Sequence, residues 1–123
     1  MSLYSFNLLT AKTIAAVALF FSAGLFSQTV QGEQEKINHL IKMVEDSGYI
    51  FIRNGSEYNS KDAASHMRLK LSRAGNRVKT AEQFIEYLAT RSSVTGSPYM
   101  LRLPDGKKIP LAEWLRKRLA GLK

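Results

Sequence analysis

A charge-free apolar run near the start of the chain restricts the folded part of the protein to the residues that follow it. Residues 13–26 (TIAAVALFFSAGLF) contain no charged side chain and come directly after Lys12. A positive residue, a short apolar stretch and a polar segment ending in a small residue are typical of a secretory signal peptide. The sequence therefore predicts a signal peptide over residues 1–32 and a single small globular domain over residues 33–123.

Two positions satisfy the rule that small residues stand last and third from last before the signal-peptide cut. Val30-Gln31-Gly32 lies beyond the apolar run and is preferred, whereas a cut after Ser22-Ala23-Gly24 would fall inside the run. An uncleaved membrane anchor is the alternative, but a spanning helix needs about 20 apolar residues and this run is shorter. The expected location is the periplasm, because the chain lacks the cysteines from which small secreted eukaryotic domains build disulfides.

The part of the chain beyond residue 32 is small and basic. All ten acidic residues and seventeen of the eighteen lysines and arginines lie there, so its 91 residues carry a net charge of +7. This surplus attracts anionic partners, which in an envelope are lipid or lipopolysaccharide phosphates, cell-wall carboxylates and acidic proteins. Export argues against nucleic acid as a partner, and the alternative is that the charge only keeps the domain soluble. The absence of cysteine excludes thiolate metal sites and a lipoprotein anchor.

Four helices account for most of this domain. Apolar residues at helical spacing, together with residues that start and stop helices, predict them over about 33–47, 61–74, 80–91 and from Pro110 onward. The clearest start is the capping box Thr80-Ala81-Glu82-Gln83. Trp114 is interpreted as a core residue of the last helix, whose exposed face carries the basic stripe Arg116-Lys117-Arg118.

Short β-prone segments separate the helices. Residues 49–52 (YIFI) precede the turn dipeptide Asn54-Gly55, and residues 99–103 precede a turn and a short return strand at Lys108-Ile109. The predicted fold class is therefore α+β and mainly α. It consists of about four helices with a small β-hairpin or short strand element in a single domain.

Polar residues concentrate around the first turn and on the second helix. Asp62, His66 and Lys70 recur every four residues and so share one helix face. A histidine held beside a hydroxyl or a carboxylate is the minimum for nucleophilic or acid–base chemistry, which makes His66, Glu57 and Ser93 weak catalytic candidates. No Gly-x-Ser-x-Gly elbow is present, and an Asp–His spacing of four is also that of an ordinary surface pair.

The sequence predicts no metal site and no cofactor. His39 and His66 are the only histidines, they fall on different predicted helices, and neither has another histidine or a cysteine at ligand spacing. The loop 92–98 (SSVTGSP) offers hydroxyls and backbone N–H groups that suit a phosphate or a carboxylate. The alternative for this loop is a simple connection between two elements.

Four segments, taken in order, resemble a known family. They are residues 51–55 (FIRNG), 64–70 (ASHMRLK), 79–85 (KTAEQFI) and 92–99 (SSVTGSPY). Together they span essentially the whole domain and are similar to the YfeK-like family of small exported bacterial proteins of unknown function. The resemblance implies a periplasmic address without an activity, and it points to ten candidate binding residues: Arg53, Asn54, Tyr58, His66, Lys70, Lys79, Ser92, Ser93, Gly96 and Tyr99.

Two functional hypotheses follow. The preferred one is a non-enzymatic binding or adaptor domain for an anionic envelope component or a protein partner, with no nucleic acid and no membrane span after signal removal. The alternative is a small hydrolase or transferase that uses His66 with a serine or Glu57. The ten residues can also be interpreted as a hydrogen-bonded network that holds the helices in one arrangement.

Overall fold

A computed structural model describes residues 32–122, which belong almost entirely to a compact unit spanning Glu33–Lys123. The predicted signal peptide lies outside the described residues, apart from Gly32. No helix within residues 32–122 is long and apolar enough to cross a membrane. The elements in chain order are helix α1 (32–46), strands β1 (Ile50–Arg53) and β2 (Ser56–Tyr58), helix α2 (Ser60–Ala74), a 3₁₀ turn (Gly75–Arg77), helix α3 (Ala81–Leu88), strands β3 (Met100–Arg102) and β4 (Lys108–Pro110), and helix α4 (Leu111–Ala120).

Two hairpins combine into one antiparallel sheet with the strand order β2-β1-β3-β4. The first hairpin turns at Asn54 and Gly55, whose φ angles of 52° and 78° are the left-handed values that a type I′ turn requires. Strand β1 then pairs with β3, Phe51 opposite Leu101, which joins two distant parts of the chain. The predicted α+β class is confirmed, and the pairing of β1 with β3 turns the short strand elements into a four-stranded sheet.

One face of this sheet closes the hydrophobic core. Phe51 and Leu101 on that face are buried, whereas Ile52 and Met100 on the opposite face are partly exposed. Trp114 is 6 % exposed and lies in the core as predicted. The helices supply the other large, fully buried side chains, which include Ile37, Leu40, Ile41, Val44, Phe84, Ile85 and Leu115.

Helix α3 ends at Leu88, slightly before the predicted end near residue 91. The Thr90 hydroxyl donates to the carbonyl oxygen of Ile85 at 2.7 Å, and the Thr90 carbonyl accepts from the backbone N–H of Tyr99. Threonine side chains that bond to a preceding carbonyl compete with helix propagation. The chain therefore leaves the helix at this point and closes the loop 92–98.

Candidate functional site

Arg53 and His66 meet where β1 and α2 adjoin. Arg53 is the last residue of β1, and His66 lies in the second turn of α2. That helix begins after Asn59, whose side-chain oxygen accepts from the backbone N–H of Asp62 at 2.8 Å. The Nη1 atom of Arg53 lies 2.8 Å from Nε2 and 3.4 Å from Nδ1 of His66. The guanidinium charge this close to the imidazole disfavours a second positive charge on the ring.

Lys70 lies one helical turn after His66 and reaches from α2 to α3. Its ammonium donates to the carbonyl oxygen of Leu88 at 2.6 Å and to the Tyr99 hydroxyl at 3.0 Å. The same Nζ atom lies 4.8 Å from the centre of the Tyr99 ring. Leu88 is the last residue of α3, so the cation is placed at the negative end of that helix dipole. Lys70 is thus fixed by two hydrogen bonds, one to the end of α3 and one to Tyr99.

Arg53, His66 and Lys70 line one cavity of about 380 Å³ between α2 and the sheet. Asp62 supplies a carboxylate to its wall, and the deeper part of the wall is apolar, with Phe51 and Met67 both nearly buried. Half of the ten residues that the resemblance indicates line this cavity, namely Arg53, Tyr58, His66, Lys70 and Tyr99. The fold therefore brings together side chains from β1, β2, α2 and the segment before β3.

The two cations of the cavity have no carboxylate partner within residues 32–122. The salt bridges of this part of the chain involve other basic residues: Lys36, Lys42, Arg68, Arg102, Arg116 and Lys117. On α4, for comparison, Arg116 binds Glu82 and Glu86 at 2.9 and 3.0 Å. The basic stripe of α4 is thus partly neutralised, while Arg53 and Lys70 are not.

A second cluster joins the Asn54 turn to the loop 92–98. Ser92 is 3 % exposed, and its hydroxyl oxygen lies 3.2 Å from the side-chain nitrogen of Asn54. The same oxygen accepts from the backbone N–H groups of Val94 and Thr95 at 3.2 and 3.4 Å. The Thr95 hydroxyl donates to the side-chain carbonyl of Asn54, and Gly96 donates its N–H to the Ser92 carbonyl. Several backbone donors that the sequence offered for an anion are therefore already engaged within the loop.

Comparison with known proteins agrees with the resemblance seen in the four segments. The sequence model of a family of unknown function, DUF5329, matches residues 31–123. The chain belongs to this family. It is also 40% identical over 86 residues to the uncharacterized protein YfeK of Salmonella typhimurium strain LT2, a match that covers 69% of this chain and 72% of that protein. No solved structure matches the chain.

Three of the predicted residues belong neither to the cavity nor to the cluster of Asn54 and the loop 92–98. Glu57 on β2 forms an ion pair with Arg102 of β3. Ser93 is exposed, and its side chain makes no hydrogen bond within residues 32–122. Lys79 is exposed as well, and its backbone N–H donates to the side-chain oxygen of Gln83 at 2.8 Å. No hydrogen bond among the described residues joins His66 to Ser93 or Glu57, and the imidazole contacts Arg53 instead.

Sequence analysis missed the apolar part of the site. Leu69 lines the cavity although it is 45 % exposed, and it lies off the buried stripe of α2 that Ala64 and Met67 form. A large apolar residue on the outward side of an amphipathic helix is the feature that would have indicated it. The cavity itself depends on how α2 packs against the sheet, which no local pattern reveals.

The pKa of His66 is lowered below its usual 6.5 by burial and then by the charges of Arg53, Lys70 and Arg73. The unfolded chain, in which His66 has its ordinary pKa, therefore takes up a proton at a higher pH than the folded chain. We expect the contribution of His66 to the free energy of unfolding to be complete above about pH 6.5 and to be lost as the pH falls below it.

Urea denaturation between about pH 5 and pH 8 measures this dependence. The variant His66→Asn should show a smaller loss of stability on acidification than the wild type. The control His39→Asn keeps His66 and should keep the full loss. If His66→Asn and the wild type lost stability equally on acidification, the expected contribution of His66 to the pH dependence of stability would be contradicted.

Proposed function

We propose that this protein is a periplasmic binding protein that holds an anionic component of the cell envelope in the cavity between α2 and the sheet. The observation that carries the proposal is the convergence of Arg53 and Lys70 on one cavity, with no carboxylate partner among the described residues. Export and the periplasmic address rest on the predicted signal peptide and belong to the proposal.

Two cations, Arg53 and Lys70, and one carboxylate, Asp62, line the cavity, so its electrostatics favour an anion. Arg53 and Lys70 are both only partly exposed, so water stabilises their charges less well than it does at the surface. Attraction between opposite charges also strengthens where solvent is excluded. A bound anion would therefore restore the favourable interactions that these two cations lose on folding.

Hydrogen-bond donors remain available to such a ligand. Arg53 uses only Nη1 on His66, and its Nε and Nη2 atoms have no partner within residues 32–122. Two of the three ammonium hydrogens of Lys70 are engaged, and the Tyr99 hydroxyl that accepts from it keeps its own proton to donate. A guanidinium fork binds carboxylate or phosphate with two parallel hydrogen bonds, so these are the anions the site fits best.

An NMR titration of the protein recovered from the periplasm tests the proposal. Inorganic phosphate and alkyl phosphates would be added to ¹⁵N-labelled protein at low salt, and the Arg53 Nε–Hε resonance would be followed with the backbone amides. We expect shifts at Arg53, His66 and Lys70 and none on the α4 stripe, residues 116–118. Shifts confined to α4, or no shift with any of these anions, would contradict the proposed function.

A further inference from the structure

Apolar side chains line the cavity from the core to the surface. Phe51, Met67 and Leu111 form its buried wall and are 4 %, 5 % and 3 % exposed. Leu69 and Tyr58 line the same cavity and are 45 % and 37 % exposed. An apolar surface therefore leads from solvent into the domain, beside the two cations.

The exposure of Leu69 and Tyr58 is unusual for this domain. Only four large hydrophobic residues are exposed in the described part of the chain, and two of them line this one cavity. Exposed apolar residues at the edge of an apolar cavity are typical of a ligand-binding groove. A compact anion would contact the cations and leave this apolar surface in water.

We infer, building on the proposed function, that the ligand is an amphiphile with an anionic head group and a single alkyl or acyl chain. The head, a carboxylate or a phosphate, binds Arg53 and Lys70. The alkyl or acyl chain of the ligand lies against Met67 and Phe51 and contacts Leu69 where the cavity opens. A volume of about 380 Å³ is near the lower end for small-molecule sites, which favours one chain over the two of a diacyl lipid.

Calorimetric titration with alkyl phosphates of increasing chain length tests this inference. Each compound is kept below its micelle-forming concentration, and inorganic phosphate is the reference without a chain. Each CH₂ group that leaves water strengthens binding by about fourfold, so the association constant should rise steeply from butyl to octyl phosphate. It should level off once the chain extends beyond the cavity.

The outcomes separate this inference from the proposed function. Equal affinity for inorganic phosphate and for every alkyl phosphate would overturn the amphiphile and leave an anion site in place. Failure of every one of these anions to bind would overturn both.

Two matched variants test where the alkyl chain of the ligand lies in the cavity. Leu69→Ser removes an exposed apolar residue from the cavity wall, and Val94→Ser removes one from the loop 92–98, where Val94 is 83 % exposed. Both positions are exposed, so both variants should fold. Leu69→Ser should weaken octyl phosphate binding about fivefold without affecting inorganic phosphate, because only the chain contacts this residue. Val94→Ser should bind both like the wild type, and an unchanged affinity of Leu69→Ser for octyl phosphate would overturn the inference.

Discussion

Replacing Ser92 by alanine is expected to lower the free energy of unfolding by about 2 kcal/mol. The buried hydroxyl oxygen of Ser92 lies within hydrogen-bond distance of three donors, the side chain of Asn54 and the backbone N–H groups of Val94 and Thr95. A buried donor that loses its acceptor costs about 1–3 kcal/mol. Because much of this loop is exposed, water can replace part of what alanine removes, and the total stays well below the sum of three such losses.

Ser93→Ala is the matched control for this variant. Ser93 is the next residue in the chain, is exposed, and makes no side-chain hydrogen bond within residues 32–122. Its replacement should change the free energy of unfolding by less than about 0.5 kcal/mol. Thermal and urea denaturation measure both variants, and Ser92→Ala should lower Tm by about 10 °C. Equal stability of the two variants would show that the Ser92 hydroxyl does not hold the loop together.

Most of the ten candidate residues fall into two groups. Asn54, Ser92 and Gly96 bond to one another and to their own loop, which is the arrangement of a structural network. Arg53 and Lys70 belong to the second group, which faces the cavity. Substitutions in the first group are therefore expected to lower stability, and substitutions in the second group are expected to lower the affinity for the ligand.

Much of the fold could be predicted because short-range chemistry determines it. The Asn54-Gly55 dipeptide tolerates the positive φ angles of a tight hairpin turn, and the structure has that turn. Asn59 and Thr80 cap α2 and α3 by accepting from backbone N–H groups three residues ahead. Each of these features lies within a few residues of sequence, so the pattern alone is enough to indicate it.

The features that could not be predicted depend on contacts between distant residues. All three residues of strand β2 are in exposed positions and do not alternate between buried and exposed, so only the pairing with β1 makes this segment a strand. The contact between Arg53 and His66 likewise requires the packing of α2 against β1. Lys70 reaches Leu88 and Tyr99, which follow it by 18 and 29 residues. The candidate residues were visible in the sequence, whereas their division between a cavity and a loop was not.

Arg53→Gln is expected to weaken binding of the anionic ligand by roughly 10- to 150-fold. Glutamine keeps a polar side chain at this position, but it has no charge and no guanidinium fork. A charge-assisted hydrogen bond contributes about 1.5–3 kcal/mol, which corresponds to that range of affinity. Lys79→Gln removes the same charge from an exposed residue that does not line the cavity, so it controls for the net charge of the domain.

Isothermal titration calorimetry of wild type, Arg53→Gln and Lys79→Gln with octyl phosphate tests most directly whether the cavity binds an anion. The expected result is a loss of at least about tenfold in affinity for Arg53→Gln, with Lys79→Gln within about twofold of the wild type. An equal loss in both variants would mean that binding follows the overall positive charge. Equal affinity in all three proteins would mean that Arg53 is not part of the binding site.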